Sequence, residues 1–147
     1  MNLAFYVHSS GGNELNADIF KCLNDAIDNN KVSDASLFYN DVDYNPIEKK
    51  FGCFNSTDLW SFSGALLATT IGNLDIASRV VNDIKLGLLF DSQAQDNNLM
   101  SLIQAIQNFP VIVRNEQDKK EIHRITGKMP HLVNELDAEE ILEVFNE

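Results

Sequence analysis

The chain has 147 residues, of which 44% are apolar and 22% charged, as in one ordinary globular domain. This composition excludes a disordered, collagen-like or coiled-coil chain. The longest apolar-rich run without a charge, residues 59–73, is too short and too rich in serine, threonine and glycine to cross a bilayer. The N-terminus also lacks a basic segment followed by an apolar core, so we expect neither a signal peptide nor a membrane partner.

Charge and cysteine content restrict the partners and the compartment. The net charge is −11, from 11 basic and 22 acidic residues, and the only adjacent lysines, at 49–50 and 119–120, have acidic neighbours. A nucleic-acid binder needs a basic stripe that displaces counterions from phosphates, so we expect no nucleic-acid partner. Cys22 and Cys53 do not form a Cys-x-x-Cys motif, which favours free thiols in a reducing, cytoplasmic compartment.

The first predicted element is a strand over residues 2–8. Its apolar residues run without alternation, which is typical of a strand covered on both faces, as in a parallel sheet. A turn over residues 9–13 follows, and then a helix with apolar residues at helical spacing. Asn13 or Ser10 can cap this helix, and residues 29–30 end it.

The rest of the chain repeats the order of strand and helix. Helical runs of about ten residues or more between strands indicate βαβ units. We therefore predict one α/β domain over residues 1–147, a three-layer sandwich with a mostly parallel sheet of Rossmann-like or flavodoxin-like type, whose strand order stays open. The further predicted strands lie at 35–39, near 51–54, and at 64–69, 85–90, 110–113 and 132–133, and a helical turn starts at 56. One further predicted helix is capped by Asn73, and another covers 97–107. The last two predicted helices cover 116–126, ended by a left-handed Gly127, and 137–145, capped by Asp137.

Polar residues follow the predicted strands where each strand ends. In such sheets ligands bind outside the carboxyl ends of the strands. Loops are polar in any case, so part of this pattern carries no information about function. The predicted ligand-binding residues are His8, Ser9, Ser10, Gly11, Gly12, Asn13, Asp41, Thr69, Asp91 and Asn115.

The paired glycines are the most informative part of this edge. Gly11 and Gly12 would let the backbone approach a ligand at a helix N-terminus, and we predict that this turn at Asn13 makes the tightest backbone approach at the sheet edge. Neither Gly-x-Gly-x-x-Gly nor Gly-Lys-Ser/Thr occurs there, so a purely structural strand-to-helix turn is an equal alternative. Glu14 in the first helical turn disfavours a bare phosphate, because its carboxylate already occupies the positive end of the helix.

The remaining polar candidates do not define a reaction. His8 is the only histidine at the predicted ligand edge. Asp41 and Asp43 share one side of an extended segment, as a ribose or divalent-ion site would need, although such residues are more often solvated in turns. No spacing indicates a metal site or a Ser/His/Asp triad, so the sequence predicts no metal ligand, and it leaves the catalytic residues and the cofactor unknown.

Two segments resemble a known family. Residues 5–14, with the turn Gly11-Gly12-Asn13-Glu14, resemble the opening of the N-terminal half of GT-B glycosyltransferases, and residues 111–127 resemble the last strand and following helix of that half. The resemblance implies that the edge faces a sugar acceptor and that the half which holds the sugar nucleotide is missing. The alternative is a non-catalytic protein-interaction scaffold. Small size and many asparagines also resemble phage-encoded proteins.

An aromatic stretch between the second and third core strands raises the question of self-association. It contains Phe51, Phe54, Leu59, Trp60 and Phe62. Taken singly, the aromatic residues are expected to pack in the core. The alternative is an exposed patch that a homodimer would bury through one two-fold interface.

Overall fold

Seven strands form one all-parallel sheet in the computed structural model, which describes residues 1–80, 82–91 and 99–146. The strand order is β3-β2-β1-β4-β5-β6-β7. Its first six positions follow the Rossmann order rather than the flavodoxin order, which decides what the sequence left open. The strands are β1 (Leu3–Ser9), β2 (Ala35–Asp41), β3 (Gly52–Asn55), β4 (Gly64–Ala68), β5 (Ile84–Phe90), β6 (Val111–Val113) and β7 (His131–Leu132).

Helices cover both faces of the sheet, so the predicted three-layer α/β architecture is confirmed. Within the described ranges the helices are α1 (Glu14–Asp28), α2 (Ile71–Ser78), α3 (Leu99–Asn108), α4 (Glu116–Thr126) and α5 (Ala138–Asn146), with a 3₁₀ helix at Ser56–Ser61. α1 and α5 pack on one face, and the other helices pack on the opposite face. Phe5 and Val7 of β1 point to the first face, whereas Ala4 and Tyr6 point to the second. Burial on both faces explains the uninterrupted apolar run of this strand.

Three helices begin with the same local pattern. A cap side chain accepts a hydrogen bond from the backbone N–H three residues later, which satisfies one of the donors left unpaired at a helix start. In each helix that later residue is polar and almost completely buried. The cap and the later residue are Asn13 and Asn16 in α1, Thr70 and Asn73 in α2, and Asn115 and Asp118 in α4.

Some predicted boundaries are confirmed and others are wrong. Gly127 ends α4 with φ 76°, in the predicted left-handed conformation. The predicted cap Asn73 is wrong, because Thr70 Oγ1 accepts from Asn73 N at 3.1 Å and α2 begins one turn earlier. β7 begins at His131, one residue before its predicted start. Residues 97 and 98 of the predicted third helix lie outside the described residues.

The aromatic stretch divides between the core and the surface. Phe51 and Phe62 are buried as predicted, and Leu59 is buried with them. The expectation of core packing is wrong for Phe54, 42% exposed, and for Trp60, 59% exposed. A 3₁₀ helix has three residues per turn, so Leu59 and Phe62 fall on the same side and Trp60 points away from it.

Candidate functional site

The candidate site is the edge of the sheet where the strand order reverses. β1 lies between β2 and β4, so the connections after these strands diverge at their carboxyl ends. α1 starts after β1 on one face, and α2 starts after β4 on the other. In open α/β sheets this divergence forms the ligand crevice. The edge therefore has two sides, the α1 side with the glycine turn and the α2 side with His8.

On the α1 side, the backbone N–H groups of Ser10, Gly11 and Gly12 are already paired. Their acceptors lie at the end of β1, at the end of β2 and in the segment after β2, which folds back over the turn. A phosphate bound at such a turn would need these same N–H groups. The bonds join Ser10 N to Asp41 O (3.1 Å), Gly12 N to Tyr44 O (3.0 Å) and Gly11 N to Ser9 Oγ (3.2 Å).

The segment after β2 packs closely against the two glycines, because they carry no side chains. A Cβ on Gly11 would lie 3.0 Å from Asp43 Oδ2, whereas a Cβ on Gly12 would lie 3.5 Å from Pro46 Cδ. Gly11 rather than Gly12 is thus the point of closest approach, and Asp43 of the same chain makes that approach. From the first turn of α1, Asn16 Nδ2 donates to the carbonyl of Gly11 at 2.6 Å. The turn is therefore packed on both sides by the protein itself.

On the α2 side, two predicted site residues lie together and are open to solvent. His8 Nε2 is 3.4 Å from Asp41 Oδ2, and the two side chains are 67% and 71% exposed. The parallel register of β1 and β2 brings them together, since Ser9 pairs with Asp41. His8 Nδ1 also lies 3.3 Å from Asn40 Nδ2.

A buried polar network lies directly beneath this pair. Asn40 Oδ1 accepts from Tyr6 Oη at 2.5 Å, and Asn40 Nδ2 donates to Asn73 Oδ1 at 2.8 Å. Thr69 Oγ1 and Asn73 Nδ2 both donate to the backbone carbonyl of Tyr6, at 3.2 and 3.4 Å. Burial raises the pKa of the Tyr6 phenol, while hydrogen bonds with Ser56 and Asn40 oppose that shift. The phenol therefore stays protonated and can donate to Asn40.

Asp91 and Asn115, predicted at the same edge, each have a local partner. Arg114 Nη2 donates to Asp91 Oδ2 at 3.0 Å, and its other terminal nitrogen bonds Asp18 of α1. Asn115 caps α4, and its amide also contacts Asp118 Oδ2 at 3.3 Å. Arg114 was not among the predicted site residues, although its position directly after β6 could have indicated it.

A cleft of about 700 Å³ lies between α1 and the segment around α5. Lys31 crosses from one element to the other, with Nζ 2.8 Å from Asp25 Oδ2 and 2.5 Å from Asp137 Oδ1. Burial raises the pKa of the Cys22 thiol in the cleft wall to about 12, which makes it a poor nucleophile. The sequence did not predict this cleft. Its lining residues are Asp18, Lys21, Cys22, Asp25, Arg114, Leu132, Asn134, Glu135, Leu136, Asp137 and Glu140.

Comparison with protein-family models, with curated proteins and with solved structures finds no match for this chain. The resemblance to GT-B glycosyltransferases thus stays a prediction. In the described part of the chain, the helices are all too short or too polar to cross a membrane. Among those same residues, no three His, Cys, Asp or Glu side chains are grouped so as to hold a metal ion.

Proposed function

We propose that the chain is a binding domain for a sugar-like ligand. It holds the ligand's hydroxyl groups at the carboxyl ends of β1 and β2. The single observation that carries this proposal is the exposed pair of His8 and Asp41, 3.4 Å apart beside the point where the strand order reverses. A sugar hydroxyl can donate to the Asp41 carboxylate and accept from the imidazole N–H at the same time. Beneath the pair, Asn40 Nδ2 lies 3.3 Å from His8 Nδ1.

The α1 side supports a neutral ligand over a phosphate. The turn of Ser10 to Gly12 spends its N–H groups on the protein's own oxygens, and Glu14 adds a negative charge at the start of α1. The net charge of −11 also opposes the approach of an anion, including a nucleic acid. The resemblance to the N-terminal half of GT-B glycosyltransferases, which implies a sugar acceptor at this edge, agrees with the proposal. We assign no catalytic residue and no cofactor.

Thermal-shift measurements followed by calorimetry would test this proposal. The panel contains mono- and disaccharides, nucleosides, nucleotide sugars and a flavin mononucleotide. A ligand present at one hundred times its Kd raises the free energy of unfolding by about 2.7 kcal/mol. We expect a sugar or a nucleoside to bind, and Asp41→Asn to weaken that binding.

The matched control is Asp58→Asn, which removes another exposed carboxylate, on the 3₁₀ helix. This variant should bind the sugar like the unmodified chain. The proposal fails if no sugar or nucleoside stabilises the protein, or if Asp41→Asn and Asp58→Asn bind equally well.

A second candidate function is a non-catalytic interaction scaffold, and the exposure of Phe54 and Trp60 favours it. A homodimer through this face would bury both aromatic side chains, and stable interfaces bury upward of about 1,000 Å² in total. Sedimentation equilibrium at micromolar concentration tests it. A mass of 16.5 kDa at all concentrations excludes the dimer, whereas a larger mass that Trp60→Ala returns to the monomer value supports it.

For either function we propose a reducing, cytoplasmic compartment, in keeping with the free thiols of Cys22 and Cys53.

A further inference from the structure

A directed chain of hydrogen bonds runs from a buried backbone carbonyl to the exposed ring of His8. Its direction can be read from the buried end. The carbonyl of Tyr6 can only accept, so the Asn73 atom that lies 3.4 Å from it is the amide nitrogen. The amide oxygen of Asn73 must then face Asn40, to which it is joined at 2.8 Å.

The same logic fixes the orientation of Asn40. Since Asn73 presents an oxygen, Asn40 presents its Nδ2 group, and the Asn40 oxygen accepts from the protonated phenol of Tyr6 at 2.5 Å. The Nδ2 group carries two hydrogens. One is donated to Asn73, and the other points to His8 Nδ1 at 3.3 Å. Nδ1 is the His8 nitrogen that lies where it could accept this hydrogen.

We propose that Asn40 is a positioning residue that holds His8 as the neutral tautomer with its hydrogen on Nε2, directed towards Asp41. The Nδ1–H tautomer, like the imidazolium ion, would set two N–H groups against each other at the 3.3 Å contact with Asn40. The imidazole therefore offers one donor, and this donor lies on the ligand side, next to an acceptor carboxylate.

This arrangement favours a ligand that places a hydroxyl group between His8 and Asp41. This extension rests on the proposed function. The 3.4 Å between His8 Nε2 and Asp41 Oδ2 exceeds the usual length of a strong charge-assisted hydrogen bond, about 2.7–2.9 Å. A hydroxyl can bridge the two groups, because it accepts from Nε2–H and donates to the carboxylate. An inorganic phosphate dianion carries two negative charges, so the Asp41 carboxylate would repel it.

Nitrogen NMR of the ¹⁵N-labelled full chain without ligand tests the tautomer. At about pH 8, where an ordinary imidazole is neutral, we expect His8 Nδ1 to resonate as an unprotonated nitrogen and Nε2 as a protonated one. The exposed His123 of α4 gives the reference for a ring in water, where both tautomers are populated. A His8 spectrum with the same mixture as His123 overturns the proposal.

Variants separate positioning from a general effect on the fold. Asn40→Asp offers His8 Nδ1 an acceptor, so protonation should move to Nδ1, and Asn40→Leu should return His8 to the mixture seen for His123. Tyr6→Phe is the matched control, because Asn73 still orients Asn40, and the His8 tautomer should not change. An unchanged tautomer in both folded Asn40 variants, or in the one that folds, overturns the role of Asn40.

The ligand extension is tested with glucose and inorganic phosphate as probes, observed at His8 Nε2. We expect glucose to shift this resonance and phosphate to bind at least about tenfold more weakly. If the tautomer is as expected but neither probe nor any other sugar binds, the proposed function fails and the positioning role stands. Tighter binding of phosphate than of glucose overturns the preference for a hydroxyl.

Discussion

The starts of α1 and α2 have the same local design and different consequences. Each has a cap residue followed three positions later by a buried asparagine, and each asparagine donates to a carbonyl of β1: Asn16 to Ser9 at 2.8 Å and Asn73 to Tyr6 at 3.4 Å. The remaining bonds of Asn16 stay within its own turn. Asn73 instead continues through Asn40 to an exposed ring. One pattern of residues thus builds a closed turn on one side of β1 and supports a polar site on the other.

The segment after β2 makes this difference. It turns towards the α1 side, where Asp43 and Tyr44 bond the serine and glycine residues of the turn. On the α2 side of the same strand ends, no described segment folds over His8 and Asp41, whose side chains are open to solvent. Function at this edge is therefore expected on the side without the glycines, although the glycines are the stronger signal in the sequence.

We expect the largest effect from Asn16→Leu. This change leaves two carbonyl oxygens, of Ser9 and Gly11, without their buried donor, and each such loss costs about 1–3 kcal/mol. The free energy of unfolding in urea should fall by about 3 kcal/mol. Asn24→Leu is the control, because Asn24 also makes two hydrogen bonds, to Glu48 and Lys50, but is only half-buried. Equal losses in both variants would show that burial of the turn is not what stabilises it.

A smaller loss, about 2 kcal/mol, is expected from Asn73→Leu, whose contact with the Tyr6 carbonyl is longer and shared with Thr69. This variant should also change the NMR signals of the His8 ring, because Asn40 loses its partner. Asn16→Leu should leave those signals unchanged. The comparison of the two sides would be wrong if the Asn16 variant altered the His8 ring as much as the Asn73 variant does.

Local elements of the fold could be predicted because their signals are local. The unbroken apolar run of β1 predicted a strand buried on both faces. Gly127 was identified as a helix end from residue type, and Asn13 was one of two predicted caps, with Ser10. Strand order could not be predicted, since it depends on pairing between segments distant in the chain. The displaced cap of α2 has a local cause: Thr70 and Asn73 are both good cap residues three positions apart, so the sequence allows either register.

The candidate site could be predicted only in part. His8 and Asp41 were found because each ends a strand, and adjacent parallel strands end at the same edge. Asn40 stands beside Asp41 at the end of the second strand, but it was not chosen as a site residue, because the chain has 17 asparagines and residue type does not distinguish this one. The covering of the glycine turn was also missed, since residues 42–47 have no periodic pattern that would indicate where they fold.

The two glycines offer a finer test of the closed side. Gly11 is buried and a Cβ there meets Asp43 at 3.0 Å, whereas Gly12 is exposed and a Cβ there makes only ordinary contacts. Gly11→Ala should cost about 1 kcal/mol because the covering segment must shift, and Gly12→Ala less than about 0.5 kcal/mol. Urea unfolding of both variants checks this. A larger loss for Gly12→Ala would contradict the closer packing of the covering segment against Gly11.

The smallest effects are expected at Asp41 and Asp43. Asp41 lies beside His8 on the α2 side, whereas Asp43 lies over the glycine turn on the α1 side. Asp43 Oδ1 accepts from Tyr44 N at 2.8 Å over the glycine turn, so Asp43→Ala should lower stability by about 1 kcal/mol. Among the described residues, the Asp41 side chain is paired with the exposed imidazole of His8, and exposed ion pairs contribute about 0–1 kcal/mol, so Asp41→Ala should change stability by less than about 0.5 kcal/mol. Sugar binding should show the reverse order, because Asp41 faces the ligand while Asp43 holds the covering segment. Thermal unfolding and calorimetry on the same two variants measure both quantities. If Asp41→Ala destabilised the chain and Asp43→Ala alone abolished binding, the ligand side would have to be moved to the glycine turn.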